Sequence, residues 1–107
     1  MSETTIAQFA AAHADGASVI DVREPYEYVS GHVPGAMLVP MGHLPSRVAE
    51  LDRTEPVYII CASGNRSRSM AEYLERQGFD ARSVMGGTSA WGSSGRALVS
   101  GTRPNVA

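Results

Sequence analysis

Apolar and polar positions run in short blocks along this chain, and glycine or proline closes most of them. The first block is helical. Thr5 and Gln8 have the spacing of a capping box, Ile6, Phe9, Ala10 and His13 fall on one face, and Gly16 is a natural stop. Ser18 to Val22 is a short apolar run expected to form a buried strand, and Glu24 to Tyr28 a helical turn. Gly31-His32-Val33-Pro34-Gly35 is a turn cluster, and Ala36 to Val39 a second candidate strand. Pro45 suits the first turn of a helix, with Leu44, Val48 and Leu51 at helical spacing. Val57-Tyr58-Ile59-Ile60 carries the strongest strand signal, β-branched, aromatic and uncharged, as a central parallel strand requires. A helix follows from Arg66 or Ser67 to Gln77. Met70 and Leu74 share a face, Glu72 and Arg76 form an i,i+4 pair, Gly78 caps the end and Phe79 packs back on it. Arg82 to Met85 predicts a weaker strand and Thr88 to Trp91 a short helix. Strands alternate with helices throughout, which predicts an α/β domain with a central, mainly parallel sheet and helices on both faces.

Length and composition agree with that picture. At 107 residues, with 43% hydrophobic and 19% charged positions, the chain suits one globular domain. Its polar, irregular end predicts a domain over residues 1–100 and a flexible C-terminal tail over 101–107. All nine basic residues are arginine, and the formal charge of −2 leaves no basic footprint for nucleic acid or an anionic membrane. The polar, acidic start has neither a basic leader nor a long apolar run, so no signal peptide or membrane span is expected. A cytoplasmic location, with a reduced thiol, is the default expectation. A single cysteine excludes an internal disulfide and a multi-cysteine zinc site. His13, His32 and His43 lack ligand spacing, so no metal and no cofactor is expected.

The candidate chemistry lies in Cys61-Ala62-Ser63-Gly64-Asn65-Arg66-Ser67, between the best strand and the following helix. Ligands of open α/β sheets bind beyond the carboxyl ends of the strands, where Cys61 is placed. Gly64 permits a tight bend, Asn65 tolerates a left-handed conformation, and successive N–H groups of such a loop can form an anion nest. The helix N-terminus adds unpaired donors and the positive end of its dipole. A cysteine facing that cup is expected to be acidified and nucleophilic, whereas a buried free cysteine is otherwise an inert small hydrophobe. Arg66 supplies a planar cation for an anionic substrate. Ser67 either donates into the loop or caps the helix, and Arg68 either steers anions or is a solvated surface charge.

Four segments in order resemble the single-domain rhodanese family: Asp21-Val22-Arg23-Glu24-Pro25, Gly31-His32-Val33-Pro34-Gly35-Ala36, the Cys61–Ser67 loop, and Gly86-Gly87 with Ala90-Trp91. Together they cover most of residues 5–95. The resemblance implies a sulfurtransferase that carries sulfane sulfur as a persulfide on Cys61, with Ala62, Ser63, Gly64, Asn65, Arg66 and Ser67 binding the anion. It implies a small anionic donor such as thiosulfate and an acceptor that is cyanide, a thiol or a protein.

Cysteine phosphatases and arsenate reductases also set Cys and Arg around an anion cup, but with five residues between them. Here four intervene, Ala62 to Asn65, and Ile60 replaces the histidine usual before a tyrosine-phosphatase cysteine. A non-catalytic binding module of the same family is a further alternative, although Cys61 and its loop are intact. Asp21 and Arg23 are expected to serve the fold, with an ion pair to an acid such as Glu24 or Glu27. His32 is expected to be hydrogen-bonded in its turn, and Trp91 to be core. The Asn65-Arg66-Ser67 sequon is a chance match in an active-site loop.

Overall fold

The computed structural model describes residues 2–105. A five-stranded parallel sheet holds the centre, built from β1 (Glu3–Thr4), β2 (Ser18–Asp21), β3 (Met37–Leu38), β4 (Val57–Ile60) and β5 (Ala81–Val84). Their order is β1-β5-β4-β2-β3. Four helices lie in the connections, α1 (Ile6–Ala14), α2 (Pro25–Ser30), α3 (Leu44–Arg47) and α4 (Asn65–Arg76), and α5 (Gly87–Ser93) follows β5. The α/β reading of the alternating pattern is therefore correct.

Strand β4 is buried at all four positions because both of its faces are covered. Val57 and Ile59 join Ile20, Leu44, Ala71, Leu74 and Phe79 on one side. Tyr58 and Ile60 join Phe9, Tyr28, Val84 and Trp91 on the other. The side-chain period of two sends alternate residues to opposite faces, and each face is closed by helices.

Local signals set most element ends. Thr5 caps α1 with a reciprocal capping box to Gln8. Helix α4 ends at Arg76 in a Schellman motif, in which Phe79 N–H donates to Leu74 O and Gly78 N–H to Glu75 O, both at 3.0 Å. Phe79, 4% exposed, packs against that turn as expected.

Three elements differ from the expectation. The edge strand β1 has no hydrophobic signature. It consists of backbone bonds, Ser83 N–H to Ser2 O and Met85 N–H to Thr4 O, which polar residues make as well as apolar ones. Strand β3 is only two residues long: Val39 and Met41 N–H still donate to Asp21 O and Val22 O, but the chain passes into a 3₁₀ turn at Met41. The expected helix through Leu44, Val48 and Leu51 is a four-residue α segment between two 3₁₀ turns, Met41–His43 and Val48–Glu50. Leu44 is buried in the core, and Val48 and Leu51 pack against it half-buried.

Residues 101–104, expected to be loose, are tied to the turn after α2. Gly101 N–H donates to Val29 O, Gly35 N–H donates to Pro104 O, and His32 Nε2 lies 2.8 Å from Arg103 O. His32 is fully buried, stacked on Tyr28 and 2.8 Å from its carbonyl oxygen through Nδ1, which is the hydrogen-bonded role foreseen for it. Residues 106–107 of the expected tail lie outside the described residues.

Candidate active site

The connection from β2 leads outward to β3, and the connection from β4 leads the opposite way to β5. The carboxyl ends of β2 and β4 therefore flank the switch point of the sheet, where open α/β folds form a crevice. Cys61 follows β4 at this point, and Val22 N–H donates to Ile60 O beside it.

The loop after Cys61 turns back on the sulfur. Gly64 adopts φ 111°, a left-handed value favourable to glycine, and its N–H donates to Cys61 Sγ at 3.1 Å. Ser67, in the first turn of α4, donates its N–H to the same sulfur at 3.3 Å. Asn65 and Arg66 also occupy first-turn positions, whose N–H groups have no acceptor within the helix. Cys61 is 1% exposed and belongs to the aliphatic cluster on the α4 side of the sheet, yet it is not sealed among hydrocarbon. Burial pushes its thiol upward, but hydrogen bonds from the Ser67 hydroxyl and from the N–H groups of Ser67, Gly64 and Ser63 outweigh burial and leave it below the ordinary thiol range.

Ser67 is held in turn. Its Oγ lies 3.5 Å from Cys61 Sγ, 2.7 Å from Ser83 Oγ and 3.2 Å from Gly64 O. A hydroxyl has one proton and two lone pairs. Opposite a thiol, Ser67 can donate to Gly64 O. Opposite a thiolate, it can turn that proton to sulfur while Ser83 donates to Ser67. Ser83 is fully buried on β5, and it was not foreseen because it lies 16 residues from Ser67.

Helix α5 clamps the loop from behind. Thr88 N–H donates to Cys61 O at 2.8 Å and Ser89 N–H to Ala62 O at 3.0 Å. Gly87 permits this approach at φ 58°. A Cβ there would lie 2.5 Å from Cys61 O and 2.7 Å from Ala62 O.

Arg66 and Arg23 are both committed to carboxylates. Arg66 Nη1 and Nη2 donate to Glu27 Oε1 and Oε2 at 2.7 and 2.9 Å. Arg23 pairs not with Glu24 or Glu27 but with Asp21, two residues away, where its backbone N–H, Nε and Nη2 all donate to the carboxylate. Asp21 in that strand-end position is fully buried, so the nearest arginine neutralises it. Arg68 is exposed and donates to Asn65 Oδ1. A groove of about 410 Å³ runs between α2 and α5, lined by Arg23, Glu27, Ala62, Thr88 and Leu98 among others, and so opens beside the cysteine loop.

The Arg66 pair lowers the Glu27 pKa from its ordinary 4.5 to about 2; burial opposes the shift and the Glu24 N–H assists it. The folded state thus favours the carboxylate. Its contribution to stability is complete above about 4.5 and is lost as pH falls through about 2. Urea titrations across that window should show stability falling with pH, and Glu27→Gln should flatten part of the slope. An identical slope in the variant would contradict the pairing.

Among the described residues, no group of three or more His, Cys, Asp or Glu could hold a metal ion, and no helix is long and apolar enough to cross a membrane.

Comparison with known proteins gives a consistent result. The family model described as "Rhodanese-like domain" matches residues 5–94. The Bacillus subtilis (strain 168) protein named "Putative sulfurtransferase YtwF" is 41% identical over 73 residues, 68% of this chain and 71% of that one. The crystal structure of a rhodanese-like domain protein from Staphylococcus aureus is 35% identical, with a TM-score of 0.85 over 94% of this chain and 99% of that one. A rhodanese-related protein from Thermoplasma volcanium is 29% identical and superposes with a TM-score of 0.87, covering 92% and 98% of the two chains.

Proposed function

Because the chain belongs to the rhodanese-like domain family, we propose that it is a sulfurtransferase in which Cys61 accepts sulfane sulfur from a small anionic donor and passes it on as a persulfide. Sulfur transfer is the activity that the name of its Bacillus relative carries. The observation that carries the residue-level reading is the pair of backbone donors, Gly64 and Ser67, aimed at one acidified sulfur at 3.1 and 3.3 Å.

The thiolate attacks the outer sulfur of the donor. With thiosulfate, the new Sγ–S bond forms as the donor S–S bond breaks, and its electron pair leaves with sulfite. The enzyme then holds Cys–S–S⁻, and cyanide, a thiol or a protein thiolate removes the outer sulfur and returns the Cys61 thiolate. Two displacements through a covalent intermediate give ping-pong kinetics. The near-complete burial of Cys61 favours a slim outer atom over a hindered centre. The N–H groups of Asn65 and Arg66, with the positive end of α4, would stabilise negative charge on the outer sulfur, as an oxyanion hole does. Ala62 and Ser63 carry the loop outward without adding charge, and Ser67 supports the thiolate. The Arg66 side chain is paired with Glu27, so its part in holding the anion is through its backbone N–H.

Intact mass spectrometry after thiosulfate treatment tests the proposal. A gain of one sulfur atom, removed by cyanide with release of thiocyanate, is expected. No gain, together with turnover of an aryl phosphate, would replace this reading with phosphoryl chemistry.

A further inference from the structure

We propose that Glu27 is a specificity-determining residue that sets the charge class of the sulfur donor, disfavouring dianions relative to monoanions by compensating Arg66. The inference rests on the sulfur-transfer reading above and adds to it the kind of donor preferred.

The two guanidinium groups beside the loop do not present free positive charge. Arg66 is held by both carboxylate oxygens of Glu27, with side chains only 35% and 19% exposed. Arg23 is held by the buried Asp21. Glu27 is itself fixed, because its Oε1 accepts the N–H of Glu24 at 3.0 Å and closes the capping box of α2. Glu27 also lines the groove that opens beside Ala62. What remains in the cup is a set of neutral N–H dipoles. Such dipoles bind an anionic atom at contact distance, but their field falls away faster than that of a net charge. Glu27 therefore cancels much of the attraction that Arg66 would otherwise exert on each additional unit of negative charge on a donor.

The chemical step is the same for both classes. Cys–S⁻ plus thiosulfate gives Cys–S–S⁻ plus sulfite. Cys–S⁻ plus methanethiosulfonate gives Cys–S–S⁻ plus methanesulfinate. In each, one S–S bond forms, one breaks, the leaving group takes the electron pair, and charge is conserved. The donors differ in carrying two negative charges or one.

The test compares kcat/KM for thiosulfate and for the methanethiosulfonate anion, with cyanide as acceptor and at fixed ionic strength, in the wild type and in Glu27→Gln. Glutamine keeps the shape and one oxygen that can accept from the Glu24 N–H and Arg66 Nη1, and it removes the charge together with the acceptor for Arg66 Nη2. The thiosulfate-to-methanethiosulfonate ratio should rise roughly three- to tenfold, the Coulomb effect of one unit charge at several ångströms in a partly solvated site. A purely structural role for Glu27 would lower both values together, so an unchanged or smaller ratio overturns the proposal. A second measurement needs no variant. In the wild type, kcat/KM for thiosulfate should stay level or increase as salt is added, and a steep decrease would reveal a net positive cup and overturn the proposal as well. If neither donor loads sulfur onto wild-type Cys61, the sulfur-transfer reading fails and takes this inference with it. Loading with an unchanged ratio sinks the inference alone.

Discussion

Cys61→Ser should lower sulfur transfer by about 10³-fold or more and remove the sulfur-loaded mass species, while the fold is retained. Serine occupies nearly the same volume, and its oxygen can accept the Gly64 and Ser67 N–H groups that now point at sulfur. It cannot replace the nucleophile. An alcohol stays protonated at neutral pH, whereas the loop holds the cysteine below the ordinary thiol range. In the wild type, alkylation by iodoacetamide should decrease as pH falls through that lowered value, because the attacking species is the thiolate. Turnover in Cys61→Ser close to that of the wild type would remove Cys61 from the mechanism. A midpoint at or above the ordinary thiol value would show that the amides do not acidify it.

Gly87→Ala should destabilise the domain by about 2–5 kcal/mol, the sum of an overpacked contact and a left-handed backbone carrying a Cβ. The new methyl would lie 2.5 Å from Cys61 O and 2.7 Å from Ala62 O. Both are backbone atoms of the Cys61 loop and cannot swing aside as a flexible side chain can. Relief requires α5 to move away, which breaks the Thr88 and Ser89 bonds to those two carbonyls. Activity should fall with stability, since the same shift displaces the loop carrying Gly64 and Ser67. Gly16→Ala is the control. Gly16 has a similar positive φ of 85° with nothing within 4 Å of a built Cβ, so it should cost only the backbone term, roughly 1–2 kcal/mol. Urea midpoints compare the two, and equal losses would show that close approach at Gly87 is unimportant.

Most of the frame is legible in the sequence. The capping box at Thr5 and Gln8, the uncharged run Val57–Ile60 and the Gly78-Phe79 stop are local patterns, and each produced the element expected of it. The misses also have local causes. Strand β1 consists of backbone bonds without side-chain periodicity, and the segment around Pro45 keeps its apolar face on the core while winding as one short α segment between two 3₁₀ turns. The Cys61–Ser67 loop was legible as a candidate for the same reason as the helices, because strand, glycine bend and helix start follow one another in the chain.

Sequence alone therefore determined the α/β architecture, the family and the segment in which the chemistry is proposed, since these depend on periodicity and on residues close together along the chain. Tertiary structure decided the partners: Glu27 on Arg66 across 39 positions, Ser83 on Ser67 across 16, α5 on the carbonyls of the loop, and the turn at His32 on Arg103. The first three contacts exist because the parallel sheet brings the ends of β2, β4 and β5 to one edge, and the last because the chain after α5 returns to the turn before β3. A charge or hydroxyl carries no mark along the chain of which distant group it will meet there.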